Sequence, residues 1–356
     1  MELKGLILSG GEGTRLRPIT HTSAKQLVPV ANRPILFYGI EALREAGITD
    51  IGIIVGQTEE EIRQAVGDGS EFGVHVTYIR QEAPLGLAHA VLTAEGFLLD
   101  SPFVMYLGDN LIKEGIVDLV HRFEETQPDA LILLAHVQEP ERFGVARLEG
   151  DRVVELIEKP KVPPTDLALV GVYMFKPVIL KAAREIKPSW RNELEITDAI
   201  QYLIEHGYQV ESHIINGWWK DTGRLEDLLE ANRMVLEDIK PRCSGRVDAT
   251  SQIIGRVVIE EGAEVINSVI RGPAIVGKNA RILNSFIGPF TSIYFGVLVE
   301  SSEIEHSIVM ENSRISNVRA RIEDSLIGKD VEIDRSPLKP KALRLMLGDN
   351  SRVGLV

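Results

Sequence analysis

Near the start of the chain the apolar run Leu6-Ile7-Leu8 gives way to Ser9-Gly10-Gly11-Glu12-Gly13-Thr14-Arg15-Leu16-Arg17-Pro18, with Lys25-Gln26 shortly after. These residue types suit a ligand with several anionic oxygens. Glycines without a Cβ let main-chain N–H groups turn inward and approach a phosphate closely. Arg15 adds a planar fork of donors matched to phosphate oxygens, and Lys25 a second cation. The chemistry predicted is polyphosphate binding. Two common phosphate loops fail at defined positions. A dinucleotide fingerprint would place a third glycine where Leu16 stands. A Walker loop ends Gly-Lys-Ser/Thr, whereas Gly277-Lys278 and Gly328-Lys329 are followed by Asn279 and Asp330.

Further along stand residues suited to the other parts of a nucleoside triphosphate reaction. Magnesium prefers one or two carboxylates plus substrate oxygens. Asp109 in Gly108-Asp109-Asn110, directly after the apolar run Phe103–Leu107, and Asp221 in Trp218-Trp219-Lys220-Asp221-Thr222-Gly223 are the two candidates for Mg²⁺. Gln81 lies between a predicted strand and a predicted helix; its amide can accept from a pyrimidine N3–H while donating to a ring carbonyl. Gly86 would let the same loop approach the base. This pattern favours thymine or uracil over cytosine and does not separate the first two, which differ by a methyl worth about 1 kcal/mol. Glu158 in Glu158-Lys159-Pro160 can accept from vicinal sugar hydroxyls. Lys159, with Arg191 in Trp190-Arg191-Asn192-Glu193, can hold an attacking phosphate.

The run Gly10–Pro18 followed by Lys25-Gln26-Leu27-Val28-Pro29-Val30 resembles the signature of the sugar-phosphate nucleotidylyltransferases. Among them it is most similar to the long-type glucose-1-phosphate thymidylyltransferases, which carry a C-terminal left-handed β-helix, and the resemblance covers essentially the whole chain. It implies transfer of a nucleotidyl group from dTTP to glucose 1-phosphate, giving dTDP-glucose for deoxysugar synthesis. The resemblance further implies that Leu8, Gly10, Gly11, Gly13, Thr14, Gln26, Gln81 and Gly86 contact the nucleotide. Asn110, Gly144, Glu158, Val170 and Arg191 would contact the sugar phosphate, and Asp109 and Asp221 match the family's metal positions. Arg15, Lys25, Lys159 and Asp109 are then the catalytic set.

The elements that must position these residues follow from hydrophobic spacing. Strands are predicted at 5–8, 51–55, 74–79, 103–107 and 131–136, and helices at 34–46, 59–66, 87–97 and 116–124. Such alternation predicts a three-layer, Rossmann-like α/β domain over residues 1–236 with a mainly parallel sheet, and ligands at the carboxyl ends of its strands. A linker is expected over 237–249. Beyond it helical periodicity disappears. Ile253, Ile270, Ile287 and Ile304 recur seventeen apart, as do Val265, Ile282 and Val299, while Asn267-Ser268 returns as Asn284-Ser285 and Ser301-Ser302. Three hexapeptide-like faces per turn predict a parallel β-helix over 250–356. Residues 336–356 break the repeat and are expected to cap it.

Composition excludes several classes. A net charge of −13 argues against nucleic acid as a partner, which needs a basic face. With polyanionic substrates, the site must be locally positive against that background. No apolar run reaches the length of a membrane span, and Met1-Glu2-Leu3-Lys4 shows no secretory signal. The single cysteine, Cys243, suits a reducing cytoplasm. The eight histidines lack zinc-ligand spacing, and Trp218-Trp219 reads as packing beside the metal loop. Coil edges open to pairing predict a homo-oligomer. Three other readings stand beside the main one. A uridylyltransferase using UTP is compatible with Gln81. An acyltransferase on the β-helix would need a general-base histidine, and the repeat offers only His306. A non-catalytic sugar-nucleotide sensor would be expected to lose a metal carboxylate or a site cation, and all are present.

Overall fold

The computed structural model describes residues 2–11, 13–21, 23–150 and 152–335; the expected cap at 336–356 lies outside them. The described residues pack into two units. The first comprises those within 1–13, 23–27 and 35–221, the second those within 14–22, 28–34 and 222–356.

In chain order the strands up to residue 221 are β1 (Lys4–Leu8), β2 (Pro29–Val30), β3 (Arg33–Pro34), β4 (Asp50–Val55), β5 (His75–Arg80), β6 (Phe103–Leu107), β7 (Asn110–Ile112), β8 (Ala130–His136), β9 (Gly144–Glu149), β10 (Arg152–Glu158), β11 (Leu167–Phe175), β12 (Val210–Ile214) and β13 (Trp219–Asp221). The helices are α1 (Ile35–Glu45), α2 (Glu59–Val66), α3 (Leu87–Thr93), α4 (Glu95–Leu98), α5 (Val117–Thr126), α6 (Val178–Glu185) and α7 (Ile196–Glu205). Nine of these strands and all seven helices lie in the first unit, together with the small β7–β13 pair, while β2 and β3 belong to the second.

The main sheet of the first unit runs β10-β9-β11-β6-β1-β4-β5, with β8 beside β11 and β12 beside β8. Strands β6, β1, β4 and β5 are all parallel, the predicted βα alternation. Strand β11 runs antiparallel between β6 and β8, and β9–β10 is an antiparallel hairpin; the sequence pattern did not announce this half. Alternate residues of each strand enter different cores. Leu6, Leu8, Phe103 and Met105 pack with Ala90, Ile179, Ile200 and Leu203 from α3, α6 and α7. Ile7, Val104 and Tyr106 pack with Leu36, Ile40, Ile62 and Phe123 from α1, α2 and α5. Burial on both faces is why these strands read as continuous apolar runs, and all nine residues of β11 are buried. The single helix expected over 87–97 is broken at Ala94 into α3 and α4. Thr93 Oγ1 donates to the His89 carbonyl one turn back, a bond that loosens a helix at that point.

In the second unit, helix α8 (Leu225–Leu236) precedes three parallel sheets of six, six and four strands, visited in rotation by the chain. The seventeen-residue spacing is the register itself. Ile253, Ile270, Ile287 and Ile304 are successive ladder partners, as are Val265, Ile282 and Val299. Val265, Ile270, Ile282, Ile287, Val299 and Ile304 are all fully buried. The recurring Asn-Ser pairs are corners. Asn267, Asn284 and Ser301 adopt φ of 45°, 48° and 48°, a region Asn tolerates better than most residues. Ser268 Oγ then accepts the Ser285 N–H, and Ser285 Oγ the Ser302 N–H, so each coil satisfies the next. The first coil begins inside the stretch expected as linker, with strands Arg242–Cys243 and Ile-free Arg246–Val247.

Asn232 on α8 is 1 % exposed. Its Oδ1 accepts from the Ala31 N–H of the β2–β3 turn and from Ser292 Oγ, while Nδ2 donates to the Phe290 carbonyl. Asn232→Ala would strand these buried groups, and a loss of about 2–3 kcal/mol is expected. Urea denaturation followed by circular dichroism checks it. Among the described residues no helix is long and apolar enough to cross a membrane.

Candidate active site

Parallel strands β1 and β6 end in register, Leu8 opposite Leu107, and the Gly108 N–H donates to the Leu8 carbonyl. This delivers Gly10-Gly11 and Asp109 to one edge of the sheet. Lys25, on a short 3-10 turn, reaches the same place and forms a direct ion pair with Asp109. Burial alone would raise the Asp109 carboxyl pKa, but the Lys25 charge and hydrogen bonds from Lys25 and Asn110 outweigh it, holding the group below the ordinary carboxylate value. Asp109 is therefore ionised at neutral pH although little solvent reaches it.

A cavity of about 210 Å³ opens here, lined by Leu8, Gly10, Gly11, Lys25, Gln26, Gln81, Gly86 and Asp109, with Glu193 at its margin and Ile54, Leu87, Ala90 and Leu107 as apolar wall. The eight were predicted from residues 8 to 109 of the sequence and meet in one place. Gln26 is 3 % exposed, and its Oε1 has no hydrogen-bond partner among the described residues. A buried acceptor of this kind beside a phosphate loop needs a ligand to satisfy it. Gly13, Thr14 and Arg15 are not among the lining residues. Thr14 and Arg15 sit on an exposed 3-10 turn that packs with the second unit.

A second cluster adjoins through Asn110 and Glu193. Asn110 is 2 % exposed; its Nδ2 donates to Asp109 Oδ1 and its Oδ1 accepts from Trp219 Nε1. Gly171 lies against it so closely that a Cβ there would stand 2.7 Å from the Asn110 amide. Glu158 accepts from Thr197 Oγ1 at 2.7 Å and pairs with Lys159 at 3.3 Å and Arg191 at 3.5 Å. Gly144 lies 3.2 Å from the Glu158 carboxylate, measured from where its Cβ would be. Lys159 takes a φ of 42°, an uncommon conformation for a non-glycine residue and one that concentrates at functional sites. Arg191 is held by Glu193 at 2.9 Å and by Glu195 at 3.3 Å besides Glu158. Desolvation raises the Glu195 pKa, against hydrogen bonding from Ser189. Val170 departs from expectation. Its side chain is fully buried in the core, so it offers a ligand only its main chain. The β11 ladder skips between Leu169 and Tyr173 on the β8 side, which leaves main chain at Val170 outside that ladder.

Asp221 is the ladder partner of Asn110 across β13 and β7, so both candidate metal carboxylates stand at adjoining strand ends. Two carboxylates at adjoining strand ends are hard oxygen donors of the kind that fits a divalent cation completed by substrate oxygens.

Several site residues escaped sequence reasoning. Thr197 and Glu195 buttress Glu158 and Arg191, whereas Trp219, read as packing beside the metal loop, packs edge-on against Phe143 at 5.2 Å and also bonds Asn110. The backbone link between the base loop and the Arg191 loop was also missed: the Leu194 N–H donates to the Leu85 carbonyl and the Ala88 N–H to the Leu194 carbonyl. Nothing in the local sequence signals a contact across more than a hundred residues. A smaller cavity of about 160 Å³ is lined by Glu114, Asp118, Arg122 and His213. Its one arginine already faces Glu211 at 3.4 Å, which makes it a poor polyphosphate site.

Strand-end glycines, two carboxylates at adjoining strand ends and a cation-flanked cavity make up the candidate site. The model of the nucleotidyl transferase family matches residues 4–238, and the chain belongs to that family. Among its relatives it is 57% identical over 351 residues to the "Glucose-1-phosphate thymidylyltransferase" of Streptomyces griseus, covering 98% of this chain and 99% of the relative. It is 58% identical to the protein of the same name from Streptomyces antibioticus, covering 99% of each. A crystal structure of a "Putative Glucose-1-Phosphate Thymidylyltransferase" from Bacillus anthracis in complex with a sucrose superposes with a TM-score of 0.63 at 37% identity, over 67% of this chain and 96% of that one.

Proposed function

We propose that this chain transfers a thymidylyl group from dTTP to glucose 1-phosphate, giving dTDP-glucose and pyrophosphate. The observation that carries the reading is the convergence of Gln81, Lys25 and Asp109 on one cavity that adjoins the Glu158–Arg191 cluster. The full-length similarity to two thymidylyltransferases supports the choice of substrates.

The geometry suits catalysis by positioning and charge stabilisation. Gln81 reads the base, and Gly10 and Gly11 bring main-chain N–H groups to the triphosphate. Glu158 accepts from sugar hydroxyls, and Asn110, Gly144 and the Val170 main chain complete the sugar pocket. Lys159 and Arg191 hold the sugar phosphate with one oxygen aimed at the α-phosphorus. That oxygen is an anion at neutral pH, so no general base is required. Its bond to the α-phosphorus forms as the bond to the β-phosphate oxygen breaks, and pyrophosphate leaves with the electron pair. Lys25 neutralises the charge that develops on the transferring and leaving groups. Asp109 and Asp221 would hold Mg²⁺, which supplies charge neutralisation on the triphosphate when bound. Lys25 and Arg191 are paired with acids, and in this reading substrate phosphates compete with those carboxylates for both cations.

The parallel three-sheet coil of the second unit is, in this reading, a left-handed β-helix serving assembly into a homo-oligomer in the cytoplasm. His306 gives no support to acyl transfer. It occupies a corner with φ of 47° and packs on Phe290 at 5.1 Å, the place of Asn and Ser in other coils.

The test is pyrophosphate release with Mg²⁺ and glucose 1-phosphate, comparing dTTP, UTP, ATP, GTP and CTP. Preference for dTTP is expected. Equal use of UTP would make the enzyme pyrimidine-tolerant, and release with none of the five would overturn the reading.

A further inference from the structure

We propose that His89 is a specificity-determining positioning residue, holding the Gln81 amide in the orientation that reads thymine or uracil and rejects cytosine. The proposal rests on Gln81 being the base reader. Gln81 Nε2 lies 2.9 Å from His89 Nδ1 and 3.3 Å from the Gly86 carbonyl oxygen. An amide nitrogen only donates and a carbonyl only accepts. His89 Nδ1 is therefore the acceptor, and the neutral ring carries its proton on Nε2. The Gly86 carbonyl can only accept, and with the His89 proton on Nε2 both neighbours of the amide nitrogen are satisfied in this orientation. Its Oε1 faces Gly10, 3.3 Å from where a Cβ on that residue would stand, and Gly10 and Gln81 line the same cavity.

This orientation has a chemical consequence. Thymine and uracil present an N3–H donor flanked by ring carbonyls. Cytosine presents N3 as an acceptor beside an amino donor. An amide showing Oε1 accepts from the first pair. Its second Nε2 hydrogen, weakly held by Gly86 at 3.3 Å, can turn to a ring carbonyl. Cytosine needs the opposite face. A free glutamine would flip at little cost and read either base; here flipping sets Oε1 against the Gly86 carbonyl and, for a ring that keeps its proton on Nε2, against the Nδ1 lone pair as well. Discrimination then comes from α3, outside the loop that touches the base.

The test is the ratio of kcat/KM for dTTP to that for dCTP in the full-length protein and four variants. His89→Ala leaves only the weak Gly86 bond, and a fall in the ratio of about tenfold, one hydrogen bond's worth, is expected. His89→Arg presents only donors and is expected to lower the ratio further, as Gln81 turns Oε1 to it. His89→Glu presents only acceptors and is expected to keep the ratio whatever it does to the overall rate. Equal losses for both nucleotides in the Ala and Arg variants would overturn the proposal, leaving His89 a packing residue. Gln81→Ala separates the two layers of inference. An unchanged ratio there overturns the base reading itself, whereas a collapsed ratio with an intact ratio in His89→Arg overturns the lock alone.

Discussion

Asp109→Asn is expected to lower turnover about 10²-fold or more, and Lys25→Ala by a similar factor. The two side chains form one ion pair at the joined ends of β1 and β6. Asparagine keeps the shape of the aspartate and its bond to Asn110, but it removes the negative charge that faces Lys25 and one of two carboxylates proposed for the metal. Stopped-time assays at saturating dTTP and glucose 1-phosphate, with circular dichroism as a check on folding, measure the effect. A near-normal rate in both variants would sink the assignment of the site. The ionisation of Asp109 adds a pH expectation. Because its folded pKa lies below the ordinary value, its contribution to stability is complete above the unfolded pKa of about 3.9. That contribution is lost as pH falls through the folded value. Protonation of this carboxylate should therefore cause no loss of activity between pH 8 and pH 5, which a pH–rate profile tests.

The second large effect is expected at Gly86, for a reason unrelated to the base. Its φ is 106°, and a Cβ would stand 2.3 Å from the Leu194 carbonyl oxygen and 2.7 Å from the Leu194 nitrogen. Both obstacles are main chain and cannot rotate away. Gly86→Ala must either strain the residue or part the two segments that Leu85, Leu194 and Ala88 hold together. A loss of about 3 kcal/mol is expected. The kinetic signature is more telling. Parting the loops displaces Arg191 and Glu193 together, so the KM for glucose 1-phosphate should rise along with that for dTTP. Were Gly86 needed only for approach of the base, the KM for dTTP alone would change. Initial-rate measurements with each substrate varied decide between the two.

The expected elements from residue 5 to 136 were legible because each buried parallel strand is apolar on both faces and each covering helix is apolar on one. The coil register was legible for a stricter reason. Stacked coils send aliphatic residues to a shared axis, so the buried Ile270, Ile287 and Ile304 had to recur at the coil length. The antiparallel course of β11 was not legible. A fully buried strand has the same composition whichever way its neighbours run, and only its hydrogen-bond partners differ. Val170 shows the same limit at the level of one residue. A valine in a buried strand reads as core, which it is, while the ladder interruption that frees main chain beside it leaves no mark on residue type.

The sequence by itself determined the chemistry of the site: a glycine loop, Lys25, Gln81, Asp109, Glu158 and Arg191 each stand in a local setting whose side-chain types restrict what can bind there. Local chemistry is written in neighbouring residues, and so it survives without a fold. What only the tertiary structure decided is how those groups act on one another. It set Lys25 against Asp109, Arg191 among three carboxylates, Trp219 on Asn110, and His89 on the amide of Gln81. Apart from His89 and Gln81, and Arg191 with Glu193 and Glu195, these partners are separated by tens of residues or more, and their meeting depends on strand order and register. Pairings of that kind follow from packing the whole domain, because the free energy that holds them in place comes from the cores beneath the site and not from the site itself.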